Sequence, residues 1–453
     1  MNKQTTCDNN YYRTHCKVKQ AFMRKWYSLI DKVYTTPNLE AAYHKVRKNK
    51  GAKTKGVDNI SIAEFGKHLQ LNLCQIQSEL KSGFYQPSAV KRVYIDKSDG
   101  GKRGLGIPTI KDRVVQAAIV QILEPIFEPD FHPSSYGYRP NRSAHQAIAK
   151  AERFTRHYGL SEVVDMDLSK CFDTLDHKLI LQSVNRKVSD GKLLTLVDKI
   201  LKSGVLDGAE FAATEIGSPQ GGIISPLLMN IYMDSFDQFM KQQGIRIVRY
   251  ADDILILAST KTKSGEYKAK AENYLETKLK LTVNRKKTHL TNLRKGIKYL
   301  GFIITNQGVR INPDKVKTFK DKVRKLTPRT KGKSIYYFIR QLNYLLRGYS
   351  NYFRIGLVKG LFEELMSWIR RRLRMMIMKS WKSWKPLHKR LRRMGHKGPF
   401  EKISVTRWRN SISPLIHKAL PNSSFEKANL YSMDKVKTNT LHQYYDIFSL
   451  FKF

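Results

Sequence analysis

The sequence predicts an α+β core followed by an all-α bundle and a short basic C-terminal region. Three observations carry that prediction. Strand and helix patterns alternate as far as about residue 305. Strand signals nearly vanish after residue 310, where three long runs keep helical spacing. Finally, the charge is one-sided, and its densest run falls near the C-terminus.

Taken in order, residues 1 to about 50 read as a polar tail followed by basic helical segments, and "KNKGAKTKGVDNIS" as a connector. "SIAEFGKHLQLNLCQIQSELKSG" carries apolar residues at helical spacing and stops at Gly83. In "AVKRVYIDKSDGGKRGLGIPTI" two short β-rich runs flank "SDGG", a hairpin turn signal. Lys91, Arg92, Lys97, Lys102 and Arg103 make that hairpin positively charged. Asp112 to Phe127 returns to helix, with Val115, Ile119, Ile122 and Leu123 on one face, and another helix begins near Ser143.

Ser161 to Asp167 reads as a strand that leaves into a turn. "IGSPQGGIISPLLMNIYMDSF" is a glycine-rich loop and then a helix opened by Pro226, whose missing N–H does no harm in a first turn. "RYADDILIL" reads as a hairpin, "YKAKAENYLETKLKL" as a helix and "GIKYLGFIIT" as a short strand pair. The bundle helices follow; in the last, Leu365, Ile369, Leu373 and Ile377 recur at four-residue intervals and so face its core.

Composition narrows the function classes. With 83 Lys and Arg against 38 Asp and Glu, the net charge of +45 exceeds what solubility needs and repels itself unless a polyanion neutralises it. Nucleic acid is the expected partner. A membrane is not expected, because no run reaches the roughly eighteen apolar residues of a spanning helix and the N-terminus has no apolar signal core; this places the protein in the cytoplasm. Cys7, Cys16, Cys74 and Cys171 form no C-x-x-C pair, and His15 beside Cys16 reads as a solvated tail, not a metal cluster. Residues 368 to 393 hold eleven Lys and Arg and no acid, which favours nucleic-acid contact over a solvated face of mixed sign. Trp381 and Trp384, lying between those charges, are expected to pack.

Asp252 and Asp253 stand side by side between apolar runs, where their charges repel. They form either a simple turn or a divalent cation site. A second group lies upstream: strand alternation puts Asp165 and Asp167 on one face, or Asp167 at the strand end. If the two strands are neighbours, three carboxylates converge at the sheet edge. Such a site suits Mg²⁺, which keeps waters and takes its remaining ligands from substrate phosphates.

"FDTLDH" after Asp167, "SPQGGIISPLLMNIYMD", "YADD", "LTVNRKKT" and "GIKYLGF", in that order, resemble the sequence blocks of group II intron reverse transcriptases. "GVDNISIAEF", "KRGLGIPTIKDRVVQ" and "SYGYRPNRSAHQAI" extend the likeness upstream, and "LNYLLRGYSNYF" resembles the maturase or thumb region. The resemblance spans roughly residues 50 to 430 and rests on the order of the blocks, since a lone Y-x-D-D is common. It implies a right-hand polymerase fold: a basic extension over 1–55, fingers and palm with antiparallel sheet over 56–305, a helical thumb over 306–385 and a basic nucleic-acid-binding region over 386–453.

The resemblance also implies roles. Asp167, Asp252 and Asp253 are the expected catalytic carboxylates, and with the Leu168 carbonyl they are the expected ligands of two Mg²⁺ ions, Mn²⁺ being able to substitute. Phe172 matches the steric gate against a ribose 2′-hydroxyl. Gln220, Gly221 and Gly222 match the loop that admits the nucleotide to bare backbone. Lys287 matches the lysine facing the departing pyrophosphate. Lys97, Arg103 and Arg113 are expected on triphosphate or template, and Tyr299, Leu300 and Gly301 on the primer. Arg370, Arg371, Arg372, Arg374, Arg390, Arg392 and Arg393 are the expected RNA or DNA contacts.

Two departures touch the fingers hairpin. Arg103-Gly104-Leu105 replaces the family's R-P-L, and Ile95-Asp96-Lys97 its I-P-K. No His- and Cys-rich endonuclease block is present, which resembles the class called IIC. The expected function is intron RNA binding that assists splicing, together with copying of RNA into DNA from dNTPs. Its partners would be the group II intron RNA, an RNA template with a DNA or RNA primer, and target DNA. A non-catalytic splicing factor and a domesticated reverse transcriptase of phage defence are the alternatives.

Overall fold

The computed structural model describes residues 25–96, 100–218, 221–328 and 332–445. Cys7, His15, Cys16, Lys97 and Gln220 lie outside them. The chain divides into two compact units, residues 1–147 with 162–290, and 148–161 with 291–453. Among the described residues no helix is long and apolar enough to cross a membrane.

The first unit opens with α1 (Ile30–Val33), α2 (Thr36–Lys48), α3 (Ile62–Lys67) and α4 (Leu69–Ser82). One continuous helix is expected for the last two, but His68, at φ −119° and ψ 42°, leaves helical geometry and splits them. Ser61 and Glu64 close a reciprocal cap at the start of α3, and left-handed Gly83 ends α4. The basic hairpin is β1 (Val90–Asp96) and β2 (Lys102–Ile107), antiparallel from Lys91 opposite Ile107 to Asp96 opposite Lys102.

Next comes α5 (Ile110–Phe127), which the sequence reading made one-sided. Instead its Val114, Ala117, Ala118 and Val120 are buried as well, and only Ile122 of the expected stripe is half-exposed, because neighbours pack around the whole helix. α6 (Ala144–Arg156), most of which belongs to the second unit, then β3 (Glu162–Asp167), α7 (His177–Asn185) and α8 (Gly191–Leu201) follow. The short β4 (Val205–Asp207) and β5 (Glu210–Ala212) extend the hairpin into a four-stranded sheet, β4 running parallel to β1.

α9 (Ser225–Gln242) carries Pro226 in its first turn as expected and buries most of its residues. β6 (Arg246–Tyr250) and β7 (Asp253–Ala258) form the predicted hairpin, followed by α10 (Lys261–Asn273) and β8 (His289–Asn292). The second sheet runs β6-β7-β3-β8, so the strand ending at Asp167 lies directly beside the strand opening at Asp253. Val163, Met166, Ile247, Ile254 and Ile256 are buried within it, which fixes its register by the core.

In the second unit β9 (Ile297–Tyr299), β10 (Phe302–Thr305) and β11 (Gly308–Ile311) make a three-stranded meander. Helices α11 (Pro313–Leu326), α12 (Ile335–Phe353) and α13 (Lys359–Ser380) then match the three expected runs. Leu365, Ile369 and Leu373 are buried as expected, while Ile377 is half-buried beside a small satellite core of Met378, Leu387, Leu391, Ile416 and Leu420. α14 (Lys385–Arg393) and α15 (Pro414–Ala419) contribute to that satellite, and α16 (Asn422–Lys427) follows.

Candidate active site

Asp167 and Asp253 are direct cross-strand partners in the antiparallel β3/β7 pair. Partners in register project to one face, so Asp165, Asp167 and Asp253 share it. Asp252 occupies the two-residue turn closed by Tyr250 and Asp253. The other edge of Asp167 is held by the "LTVNRKKT" segment. Asn284 N–H donates to the Asp167 carbonyl (2.9 Å), Asn284 Nδ2 to its carboxylate Oδ2 (3.0 Å), and Leu168 bridges to Val283. Lys287 Nζ lies 4.0 Å from that same Oδ2.

The turn itself is strained and braced. Ala251 has φ 59°, a left-handed conformation that a residue with a Cβ seldom adopts. Beneath it the fully buried Arg249 binds Asp237 through Nε (2.9 and 3.0 Å) and Nη2 (2.6 Å). Its Nη1 donates to Asn230 Oδ1 and to the Ala251 carbonyl, both at 3.1 Å. From above, the "SSYGY" loop lies along β6: Arg249 N–H donates to Ser134 and Tyr136 N–H to Arg249, each at 2.9 Å. Gly137 rests so close that a Cβ there would stand 2.3 Å from the Ala251 nitrogen. Arg249, Asp237, Asn230 and Gly137 are site residues that the sequence reading missed; the available signal was Asn230 within the apolar run "LLMNIYM" with Asp237 seven residues on, two turns along the same helix face.

Electrostatics follow the crowding. Burial pushes the Asp253 carboxyl up to about 8, with Asp165, Asp252 and Asp167 adding repulsion. Burial likewise lifts Asp165 to about 6, against the pull of His289 3.7 Å away. Asp252 is raised by burial and by Asp167, while Arg103 and Arg249 hold it down. Four carboxylates therefore share one field, one more than the sequence reading assigned. Among the described residues no three His, Cys, Asp or Glu side chains stand together as a finished metal cage.

The residues around the nucleotide position divide sharply. Phe172 is buried in the turn after β3, its ring meeting Tyr138 edge-on at 6.1 Å, and its carbonyl accepts the Ser218 N–H (2.7 Å). Gly221, at φ 118°, is pressed against β2: a Cβ would stand 2.4 Å from the Gly106 carbonyl. Gln116 Oε1 accepts from Ile223 N–H at 2.8 Å and so steadies this loop. Arg103 is exposed and within charge range of Asp252. Arg113 corrects an expectation. It is buried and donates to the carbonyls of Pro108 (2.9 Å), Gly51 (3.2 Å) and Thr54 (2.7 Å), so it braces the chain upstream of α5 instead of reaching for a phosphate.

A reverse transcriptase (RNA-dependent DNA polymerase) family model matches residues 95–304, and a group II intron maturase-specific domain model matches residues 316–395. Protein YkfC of Escherichia coli K12 is 37% identical over 290 residues, covering 56% of this chain and 76% of that protein. The chain belongs to the group II intron reverse transcriptase and maturase family.

Another member, the group II intron-encoded protein LtrA of Lactococcus lactis subsp. cremoris, is 40% identical over 209 residues, covering 46% of this chain and 34% of LtrA. Among solved structures, telomerase from Candida albicans is 14% identical with a TM-score of 0.40, covering 71% of this chain and 68% of that one. As a reverse transcriptase this protein is an RNA-directed DNA polymerase, and that family uses divalent metal ions. The donor set fits such an ion. Asp167 and Asp252 repel each other within a partly buried site, and the carbonyl of Leu168 follows directly, a sparse oxygen set of the kind that phosphates and water complete.

The maturase region spends much of its charge on itself. Arg374, expected on nucleic acid, is buried instead and donates to the Leu420 carbonyl (2.9 Å) and Asn422 Oδ1 (2.7 Å). Arg372 donates twice to Thr327 (2.7 and 2.9 Å), Arg371 to Ser411 (3.2 Å) and Arg370 to Asp434 (3.1 Å). Arg390 donates to the Ala419 carbonyl (2.6 Å) yet stays exposed, as do Arg392 and Arg393. The reason is geometric: guanidinium forks close helix ends and loop carbonyls that the short C-terminal helices leave open. Trp381 packs on the satellite core as expected, and the Trp384 ring lies tilted at 46° to that of His388, centroids 4.7 Å apart. Tyr299 is buried, while Leu300 and Gly301 turn with φ 47° and 83° between β9 and β10.

Proposed function

We propose that the protein copies RNA into DNA by Mg²⁺-dependent nucleotidyl transfer and binds group II intron RNA to assist its splicing. The observation that carries this reading is the register of β3 against β7, which sets Asp167 opposite Asp253 with Asp252 in the adjoining turn. Two Mg²⁺ ions, for which Mn²⁺ can substitute, would supply charge neutralisation at the primer 3′-hydroxyl and at the triphosphate.

The chain's own groups do the rest. Asp167, Asp252 and the Leu168 carbonyl offer ligand oxygens, and Asp253 backs them. Lys287, beside Asp167, faces the pyrophosphate; Arg103 and Lys97 grip the triphosphate. Phe172 fills the space that a ribose 2′-hydroxyl needs, and Gly221 with Gln220 lets the dNTP approach backbone. Tyr299, Leu300 and Gly301 support the primer. Exposed Arg390, Arg392 and Arg393, within a chain of net charge +45, favour intron RNA and target DNA as partners. The reading implies a cytoplasmic site of action.

Extension of a DNA primer on an RNA template with dNTPs tests it. Asp252→Ala should abolish extension that the parent performs in Mg²⁺. Full extension by the variant would overturn the site.

A further inference from the structure

Arg249 is the largest fully buried side chain among the described residues, and its partner Asp237 is equally buried. Stability alone does not call for such a pair, since apolar residues of similar volume serve a core as well or better. The guanidinium's other bonds suggest what it is for. One nitrogen reaches past the ion pair to the Ala251 carbonyl, at 3.1 Å, and that carbonyl belongs to the peptide leading into Asp252. Asn230, two turns from Asp237 on the same face of α9, accepts from the same nitrogen and donates to the Gly137 carbonyl at 2.9 Å. Gly137 in turn sits against Ala251. One helix thus holds the turn from below through Arg249 and from above through Gly137, at the residue whose φ of 59° would otherwise relax.

We infer that the Arg249–Asp237 pair is a positioning device that fixes the Ala251–Asp252 peptide and thereby aims the Asp252 carboxylate, and that this is its role in place of stability. The inference rests on the polymerase reading above. Only a planar fork does this: a lysine at 249 could face Asp237 but not bind Ala251 and Asn230 together.

The test uses the full chain and a double variant, Arg249→Met with Asp237→Leu, which removes both charges and leaves neither unpaired. Thermal unfolding, Mn²⁺ titration by electron paramagnetic resonance and steady-state primer extension are read for the parent, the double variant and Arg249→Lys. The double variant should unfold at or above the parental midpoint and bind Mn²⁺ about tenfold more weakly. Its kcat should fall about 100-fold, with KM for dNTP within about threefold of the parent. Arg249→Lys should show the same losses. A folded double variant with parental kcat and Mn²⁺ affinity overturns the inference, and so does a double variant that cannot fold, which would make the pair structural. If the parent itself extends no primer, the polymerase reading fails while the Mn²⁺ titration still decides the positioning role.

Discussion

Asp167 and Asp253 face each other across one rung of the β3/β7 ladder, the last before both strands leave the sheet. The rungs behind them run Met166 opposite Ile254, Asp165 opposite Leu255 and Val164 opposite Ile256, so the one further polar side chain is a third carboxylate and nothing in the sheet itself rewards two like charges there. Asp167→Asn is expected to remove that repulsion. Primer extension should fall at least about 1,000-fold while the unfolding midpoint holds or rises. Steady-state kinetics and a thermal melt on the same preparation check both halves.

The carboxylates set a pH dependence in metal-free protein. Asp253, raised to about 8 when folded, keeps a proton that the unfolded chain has lost above about 4. The protonated form therefore contributes stability that is fully present below about pH 4 and lost as pH rises through about 8. Asp253→Asn should flatten this slope and be the more stable protein at pH 8.5 by at least about 1 kcal/mol. Urea unfolding in EDTA across pH 5 to 9 measures it; parallel curves for the two proteins would contradict it.

Gly137 has no room for a methyl group beside Ala251. Gly137→Ala must push the YADD turn or the loop that carries Tyr138. We expect a loss of about 1–3 kcal/mol in stability and a kcat drop of about 100-fold, with the fold intact by circular dichroism.

Phe172 is predicted to set sugar selection. Replacing it with Ala opens space beside Tyr138, and incorporation of ribonucleotides relative to deoxynucleotides should rise about 10- to 100-fold. Competition of CTP with dCTP in single-nucleotide extension reads the ratio directly.

The arginines of the maturase region should separate by burial. Arg374→Ala strips two bonds from an enclosed guanidinium and should cost about 2–4 kcal/mol, seen as an early unfolding transition. Arg392→Ala with Arg393→Ala should leave the melt unchanged. It should also weaken RNA binding and lower the salt slope by about 1–2. Filter binding at several salt concentrations distinguishes the pairs.

The residues by themselves determined the alternating core and the helical runs after it, the hairpin around "YADD", the Pro226 helix start and the Gly83 stop, because each follows from local chemistry: periodicity, turn residues, caps. They also determined the polyanion partner, since charge needs no fold to be counted, and the ordered blocks pointed to Asp167, Asp252 and Asp253. What they could not decide was which polar groups would find each other. Arg249 and Asp237 are twelve positions apart on different elements, and Gly137 is more than a hundred from Ala251; only packing makes them one brace. The same ambiguity hid the fates of Arg113 and Arg374, because a guanidinium reads alike in sequence whether it meets a phosphate or a buried carbonyl. Tertiary structure settled each by enclosing it, and desolvation then demanded a partner.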